Sequence, residues 1–257
     1  MRFSVLASGS GGNACYVETA QAKILIDAGL SCRETIRRLD ILGVKSSHLD
    51  ALVITHEHMD HIKGAGPISR RFDIPVYINR PTFRRGLRTL GNISRPVHVN
   101  TGQAIAIKDI LVETFTKCHD AADPMGLIIS SNGSRLGLIT DLGRSTRLVE
   151  ERLKDCKALI IEFNHDNEML EQGPYPLHLK RRIKGPEGHL SNSQAGELLK
   201  IISHRDLDQI VLAHISKINN LPEKALHEAE EVLSGCKADN ANILVSHQDH
   251  PVPLVEI

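Results

Sequence analysis

Four good metal ligands, His56, His58, Asp60 and His61, crowd into six positions of this chain, in the run Thr55-His56-Glu57-His58-Met59-Asp60-His61. Directly before them stands an apolar, strand-like stretch, Ala51-Leu52-Val53-Ile54. Core packing does not account for polar side chains at this density. Imidazole and carboxylate suit zinc, manganese or iron, and ligands carried on one short loop lose little chain entropy when they converge on a cation. The fold is thereby constrained to end a strand in this loop, and the chain reads as a metallohydrolase.

Along the rest of the chain, short β-rich runs alternate with amphipathic segments and no long linker, repeat or low-complexity tract intervenes. The 257 residues are therefore expected to form one domain, 1–257. Strands are predicted over 3–7, 14–18 and 23–27, the first two joined by Ser8-Gly9-Ser10-Gly11-Gly12-Asn13, which opens a β-meander. Ser31 and Glu34 give a capping-box signal ahead of Ile36, Leu39 and Leu42, so a helix should run to Leu42 and stop at Gly43.

Further on, a strand is predicted over 75–78, a basic helix over 82–90 and one or two strands over 104–115. Runs 126–131 and 135–140 flank Asn132-Gly133, a strong hairpin signal. Helices over 145–153, 193–203 and 222–233, the last started by Pro222, alternate with strands over 158–162, 209–213 and 243–245. The strands come in two sets, each accompanied by helices. That favours an α/β four-layer sandwich, α/β/β/α, over a single doubly wound sheet.

Charge narrows the choice of partner. With 31 basic and 31 acidic residues the net charge is zero, so only local charge could draw in nucleic acid. Lys63, Arg70, Arg71, Arg80, Arg84, Arg85, Arg88 and Arg95 stand against the lone Asp73, and Lys180, Arg181, Arg182 and Lys184 form a second group. Each group is either a solvated face or a phosphate-contacting surface. Arg88 lies four residues after Arg84 and three after Arg85, so it could share a helix face with them. With no Trp, three Tyr and five Phe, the composition weakens any model in which bases stack on an aromatic platform.

The five cysteines, Cys15, Cys32, Cys118, Cys156 and Cys236, are scattered and form no C-x-x-C pair, as reduced thiols of a cytoplasmic protein would be. The apolar run at the N-terminus is too short for a signal peptide, and no stretch approaches the roughly 20 apolar residues of a membrane span. Cys118 reads as an apolar filler or as a ligand for a soft metal.

The run His56-x-His58-x-Asp60-His61 after a strand resembles the signature of the metallo-β-lactamase superfamily. Asp27 in Leu25-Ile26-Asp27-Ala28-Gly29 matches the family's earlier aspartate. His119, Asp141 in Ile139-Thr140-Asp141-Leu142-Gly143 and His214 in Leu212-Ala213-His214-Ile215-Ser216 stand where the family places its remaining ligands. The resemblance covers nearly the whole chain. It implies two divalent cations, Mn²⁺ or Zn²⁺ with iron as a further option, and no organic cofactor. One ion would be held by His56, His58 and His119, the other by Asp60, His61 and His214, with Asp141 between them. Asp60 then belongs to the catalytic set as well as to the ligands. Asp27 would orient a ligand histidine or merely end its strand.

Gly188-His189-Leu190-Ser191-Asn192 is similar to the Gly-His-x-Ser/Thr element of nucleic-acid-processing members such as tRNA-maturing RNase Z, where the histidine assists the leaving oxygen. Glu162 matches the glutamate that partners it. A carboxylate bonded to an imidazole fixes the ring and favours its protonated form, which suits a general acid. His165 and His178 read as structural or substrate-loop residues. Ser8 to Asn13 would either present N–H groups to a phosphate or form a tight turn, and Ser8, Asn13, Asn192, Arg84 and Arg85 are the candidate substrate contacts.

Together with the glycine-rich opening, His119-Asp120-Ala121-Ala122-Asp123-Pro124, Phe163-Asn164-His165-Asp166 and Gly173-Pro174-Tyr175-Pro176 resemble a bacterial subgroup of that superfamily, the YycJ/WalJ type. The resemblance implies a 5′ to 3′ exonuclease on double-stranded DNA with a role in mismatch repair. The interval from Asp141 to His214 is too short for the inserted domain of RNase J, so a shallow groove is expected in place of an enclosed tunnel. Two other readings remain open: a hydrolase of thioesters, lactones or cyclic phosphodiesters, and a non-catalytic protein that keeps a metal for stability.

Overall fold

The computed structural model describes residues 1–257 of the protein, which divide into two compact units. The first takes residues 1–116, 121–133 and 247–256; the second takes 117–120, 134–246 and Ile257.

In chain order the first unit holds β1 (Arg2–Ala7), β2 (Ala14–Glu18), β3 (Lys23–Ile26), α1 (Cys32–Ile41), β4 (Ala51–Val53), α2 (Met59–Ile62), α3 (Ala65–Phe72), β5 (Pro75–Asn79), α4 (Arg80–Leu90), β6 (Arg95–Val99), β7 (Ala104–Ile107), β8 (Ile110–Thr116) and β9 (Met125–Ser131). The meander predicted for β1 to β3 is antiparallel. From β3 to β6 the pairing turns parallel. Parallel neighbours need crossover connections, and α1 to α4 lie in those connections. Strands β2 and β4 are buried along their whole lengths, as in a sheet covered on both faces.

One face of that sheet is closed by the helices. Leu39 of α1, Ile62 of α2, Ala65 and Ile68 of α3 and Leu90 of α4 join Leu25, Leu52, Ile54, Val76 and Ile78 in one buried cluster. Each large side chain buried there favours folding by roughly 1.5–3 kcal/mol. Strands β7, β8 and β9 add an antiparallel set to this unit.

The second unit holds β10 (Ser134–Ile139), α5 (Arg147–Leu153), β11 (Ala158–Glu162), α6 (Asn167–Gln172), α7 (Leu177–Lys184), α8 (Asn192–Ile202), β12 (Gln209–Ala213), α9 (Pro222–Leu233) and β13 (Asn242–Val245). Its four strands pair in the order β10-β11-β12-β13, all parallel. The chain closes with β14 (Val255–Glu256), which adds to the β1 edge of the first unit's sheet.

Local signals were obeyed with instructive departures. Ser31 caps α1 by accepting from the Glu34 amide at 3.2 Å, but Glu34 does not return the bond; its carboxylate meets Arg37 and Arg38, each at 2.7 Å. Helix α4 begins two residues before the predicted start because Asn79 accepts from the Thr82 amide at 2.9 Å and Pro81 fits the first turn. Asn132 and Gly133 both take positive φ, 48° and 80°, as a two-residue turn of type I′ requires. Strand β6 was not predicted: Arg95-Pro96-Val97-His98-Val99 is a largely exposed edge strand with a proline, so its apolar alternation is weak. Helices α2, α3, α6 and α7 escaped prediction too, each being no longer than eight residues.

Parallel strands of α/β sheets present ligand-binding residues at their carboxyl ends. Here Asp27 directly follows β3, Asp141 follows β10 with Thr140 between, and His214 directly follows β12. All three have left-handed backbone, with φ of 58°, 55° and 56°. For non-glycine residues such backbone costs on the order of 1–3 kcal/mol and clusters at functional sites. No helix is long and apolar enough to cross a membrane.

Candidate metal and catalytic site

In the first unit the site is organised by Asp27. Its Oδ1 accepts from the Thr55 amide at 2.8 Å, and its Oδ2 accepts from the Thr55 hydroxyl at 2.7 Å and from His61 Nδ1 at 2.8 Å. Because the Thr55 hydrogen is committed to Asp27, the Thr55 oxygen acts as acceptor for His56 Nδ1, 3.0 Å away. One buried carboxylate therefore orients His61 directly and His56 through Thr55. The rings of His56 and His61 lie 4.0 Å apart between centroids, and those of His56 and His58 4.8 Å.

The glycine-rich loop supports the same residues from the other side. Gly9 donates its amide hydrogen to Asn13 Oδ1 at 2.9 Å, which fixes the orientation of the Asn13 amide. Asn13 Nδ2 then donates to Asp60 Oδ2 at 3.0 Å and to His61 Nε2 at 2.9 Å. Since Nε2 receives that bond, its lone pair is the basic face of the ring and Nδ1 carries the hydrogen given to Asp27. Gly29 permits the close approach this needs: a Cβ there would fall 1.5 Å from the Asp60 carbonyl oxygen.

In the second unit Glu162, fully buried at the end of β11, is the organiser. Its carboxylate accepts from the amides of Asp141 (2.5 Å), Leu142 (3.4 Å) and Leu190 (2.8 Å), from His214 Nδ1 at 3.0 Å and from His189 Nδ1 at 3.4 Å. Burial works to raise its pKa, but the attraction of His189 and the hydrogen bonds from His189 and His214 outweigh it and hold the carboxyl well below the usual carboxylate range. Ligand-type atoms of Asp141, Glu162, His189 and His214 lie within 4.8 Å of one another. Asn164 steadies His214 from behind, its amide donating to the His214 carbonyl at 2.9 Å.

His119 gives its Nδ1 hydrogen to the Gly188 carbonyl at 3.2 Å, leaving Nε2 as the basic nitrogen. That nitrogen has Asp120 Oδ1 at 3.6 Å and Asp141 Oδ1 at 3.8 Å. Two carboxylate oxygens beside this basic nitrogen make a place that favours positive charge.

The donor chemistry thus fits a divalent metal. In the four buried rings, His56, His61, His119 and His214, Nδ1 is held by a hydroxyl, a carboxylate, a carbonyl and a carboxylate respectively, which selects the neutral tautomer with its lone pair on Nε2. Metal-binding histidines are oriented by such partners. The structure brings His56, His58, Asp60 and His61 together with Asp27 in the first unit, and His119, Asp141 and His214 together with Glu162 and His189 in the second.

Some expected substrate contacts have another part. Ser8 and Asn13 are buried, and their loop contains a tight turn in which the Gly12 amide donates to the Gly9 carbonyl at 3.0 Å. Asn192 is buried in a reciprocal amide pair with Asn220, at 2.9 and 2.8 Å, so its polar atoms brace the loop before α8 and do not reach outward. His165 is buried with no partner at Nδ1. Arg84 and Arg85 are exposed on α4, and Arg85 reaches the nearly buried Glu57, between His56 and His58, at 3.7 Å. Thr55, Glu57 and Asn220 were not singled out from sequence; Thr55 and Glu57 adjoin His56, which is their one local clue, and Asn220 has none.

The family profile described as a beta-lactamase superfamily domain matches residues 22–215. Exodeoxyribonuclease YycJ of Bacillus anthracis is 39% identical over 235 residues, covering 91% of this chain and 89% of that protein. Exodeoxyribonuclease WalJ of Streptococcus pneumoniae serotype 2 is 36% identical over 229 residues, covering 87% and 85%. Among solved structures, the metallo-β-lactamase fold protein YhfI from Bacillus subtilis superimposes with a TM-score of 0.75 over 98% of each chain at 14% identity. That likeness shows the fold, the mixed α/β architecture with two sheets that the sequence predicts.

Proposed function

This chain belongs to the metallo-β-lactamase superfamily, and on that premise we propose that it is a metal-dependent nuclease that shortens DNA from the 5′ end, a cytoplasmic enzyme of mismatch repair. One observation carries the reading: identity of 39% to an exodeoxyribonuclease, spread over 91% of the chain. A single hydrolase domain carries the activity, because the chain passes back into each unit after leaving it.

His56, His58 and His119 would hold one divalent ion, and Asp60, His61 and His214 a second, with Asp141 serving both. Manganese or zinc suits this donor set, and iron is compatible with it. When bound, the ions supply a nucleophile from water at neutral pH and stabilise charge on the phosphoryl group. The remaining work falls to the protein's own groups. Asn13 steadies the Asp60 carboxylate at 3.0 Å, and Asp27 sets the tautomer of His61. His189 is partly exposed, and with Nδ1 on Glu162 its Nε2 is the nitrogen left to deliver a proton to the leaving oxygen. Arg84 and Arg85 would meet the DNA backbone.

The test is cleavage of end-labelled duplex DNA beside thioester and cyclic phosphodiester substrates, with Asp141→Ala as control. Degradation of DNA by the native protein and not by the variant is the expected result. Turnover of the small substrates alone would replace the nuclease reading with that of a small-molecule hydrolase.

A further inference from the structure

Helix α7 carries four cations that the proposed reaction does not use. Lys180 and Lys184 both reach Glu171, one at its carbonyl and one at its carboxylate, each at 2.5 Å. Arg182 is held differently. Its Nε donates to Asp120 Oδ2 at 2.6 Å, across 62 positions of sequence, while the side chain is 60% exposed. Asp120 is its one side-chain partner in the protein, which leaves the two terminal nitrogens of the guanidinium without a protein acceptor.

Asp120 connects this exposed fork to the candidate centre. It follows His119 in the chain, and its other oxygen, Oδ1, lies 3.6 Å from His119 Nε2. Beside the pair is a cavity of about 250 Å³ lined by Asp120, Arg182, Gly185, Pro186, Glu187 and Gly188. Its wall is firmly tied. The Asp120 amide donates to the Glu187 carbonyl at 3.0 Å, and the Gly188 amide donates to the Gly185 carbonyl at 2.9 Å. A Cβ on Gly188 would come within 2.2 Å of the carbonyl oxygens of Arg182 and Ile183, so the wall closes tightly just before His189.

We propose that this cavity is a phosphate subsite for the nucleic-acid strand, in which Arg182 takes a backbone phosphate next to the one that is cleaved. The inference rests on the nuclease reading given above. The planar fork of arginine matches two phosphate oxygens at once, and Asp120 occupies only its Nε, so the outer edge is aimed and left available. Sites that enclose a small molecule hold roughly 300–1,000 Å³, so about 250 Å³ suits one phosphate with its sugar better than a complete small substrate. The two acids in the lining do not reverse the sign: Asp120 is matched by Arg182, and Glu187 is exposed, where water screens it.

Equilibrium binding of a fluorescent duplex by the chelator-treated protein, measured between 50 and 200 mM salt, tests the subsite without relying on turnover. Arg182→Ala should weaken binding about tenfold and flatten the dependence of log K on log salt by about 0.9, the value of one phosphate contact. Arg182→Lys should recover the salt slope while binding stays about threefold weaker, because the charge returns without the fork. An unchanged slope in Arg182→Ala overturns the proposal. So does a lowered melting midpoint in that variant, which would make Arg182 a brace for Asp120. Failure of the native protein to degrade DNA, with the salt slope still altered by Arg182→Ala, would instead remove the nuclease reading and keep a phosphate-binding cleft.

Discussion

Asp27 Oδ2 and His61 Nδ1 lie 2.8 Å apart, and this contact decides which nitrogen of a candidate ligand is left basic. The same carboxylate takes both the amide and the hydroxyl of Thr55, so its influence extends to His56.

Asp27→Asn should therefore lower metal affinity by about 10- to 100-fold while the fold persists. Asparagine tolerates the left-handed backbone at this position, φ 58°, whereas Asp27→Ala adds strain and should melt lower than Asp27→Asn. Chelator competition and thermal unfolding of the two variants check the pair of outcomes. Equal metal affinity in all three proteins would remove Asp27 from the site.

His189→Ala and Glu162→Gln should separate chemistry from architecture. His189 is partly exposed and meets the Glu162 carboxylate at 3.4 Å, with Asp141 Oδ1 4.0 Å away, so its loss should slow the chemical step by about 10² to 10⁴ with the metals retained. Glu162 also holds His214 and three backbone amides, so Glu162→Gln should reduce metal content as well as rate. Elemental analysis beside single-turnover kinetics decides. Metal loss in His189→Ala would make that histidine a ligand.

Arg84→Ala and Arg85→Ala should weaken duplex binding, each flattening the salt dependence by up to about 0.9. Arg85 is anchored by Glu57 at 3.7 Å beside the ligand run, so its effect should exceed that of Arg84. Fluorescence anisotropy at several salt concentrations is the measurement. An unaltered slope in both variants takes α4 off the binding surface.

His165 should make the protein acid-sensitive. Burial pushes its pKa down to about 4 from the ordinary 6.5, with the pull of Glu162 opposing and His189 and Lys184 adding to the fall. Between those values the unfolded chain binds a proton that the folded chain does not, so stability is complete above pH 6.5 and declines as pH falls toward 4. The loss between pH 7 and pH 5 should be about 2 kcal/mol. Urea unfolding at the two pH values, repeated with His165→Asn, checks it; an identical slope in the variant excludes His165 as the cause.

The sequence by itself fixed the secondary structure wherever period and punctuation agreed. β2, β11, β12 and α9 have the predicted bounds because their apolar runs, or a leading proline, are written in consecutive residues. His56, His58, Asp60 and His61 were legible for the same reason, being neighbours on one loop. Edge strand β6 and helices α6 and α7 were not, since little apolar surface is needed to hold them at the periphery, and α2 and α3 are too short to display a helical period although they pack into the core.

Tertiary structure alone decided how the polar groups share their hydrogen bonds. Asn13 and Asn192 look like substrate contacts in sequence, yet Asn13 meets Asp60 across 47 positions and Asn192 meets Asn220 across 28. Arg182 finds Asp120 across 62. No periodicity encodes such pairs. They arise because buried donors and acceptors must be satisfied, and strand register together with left-handed turns at Asp27, Asp141 and His214 determines which partners come within reach.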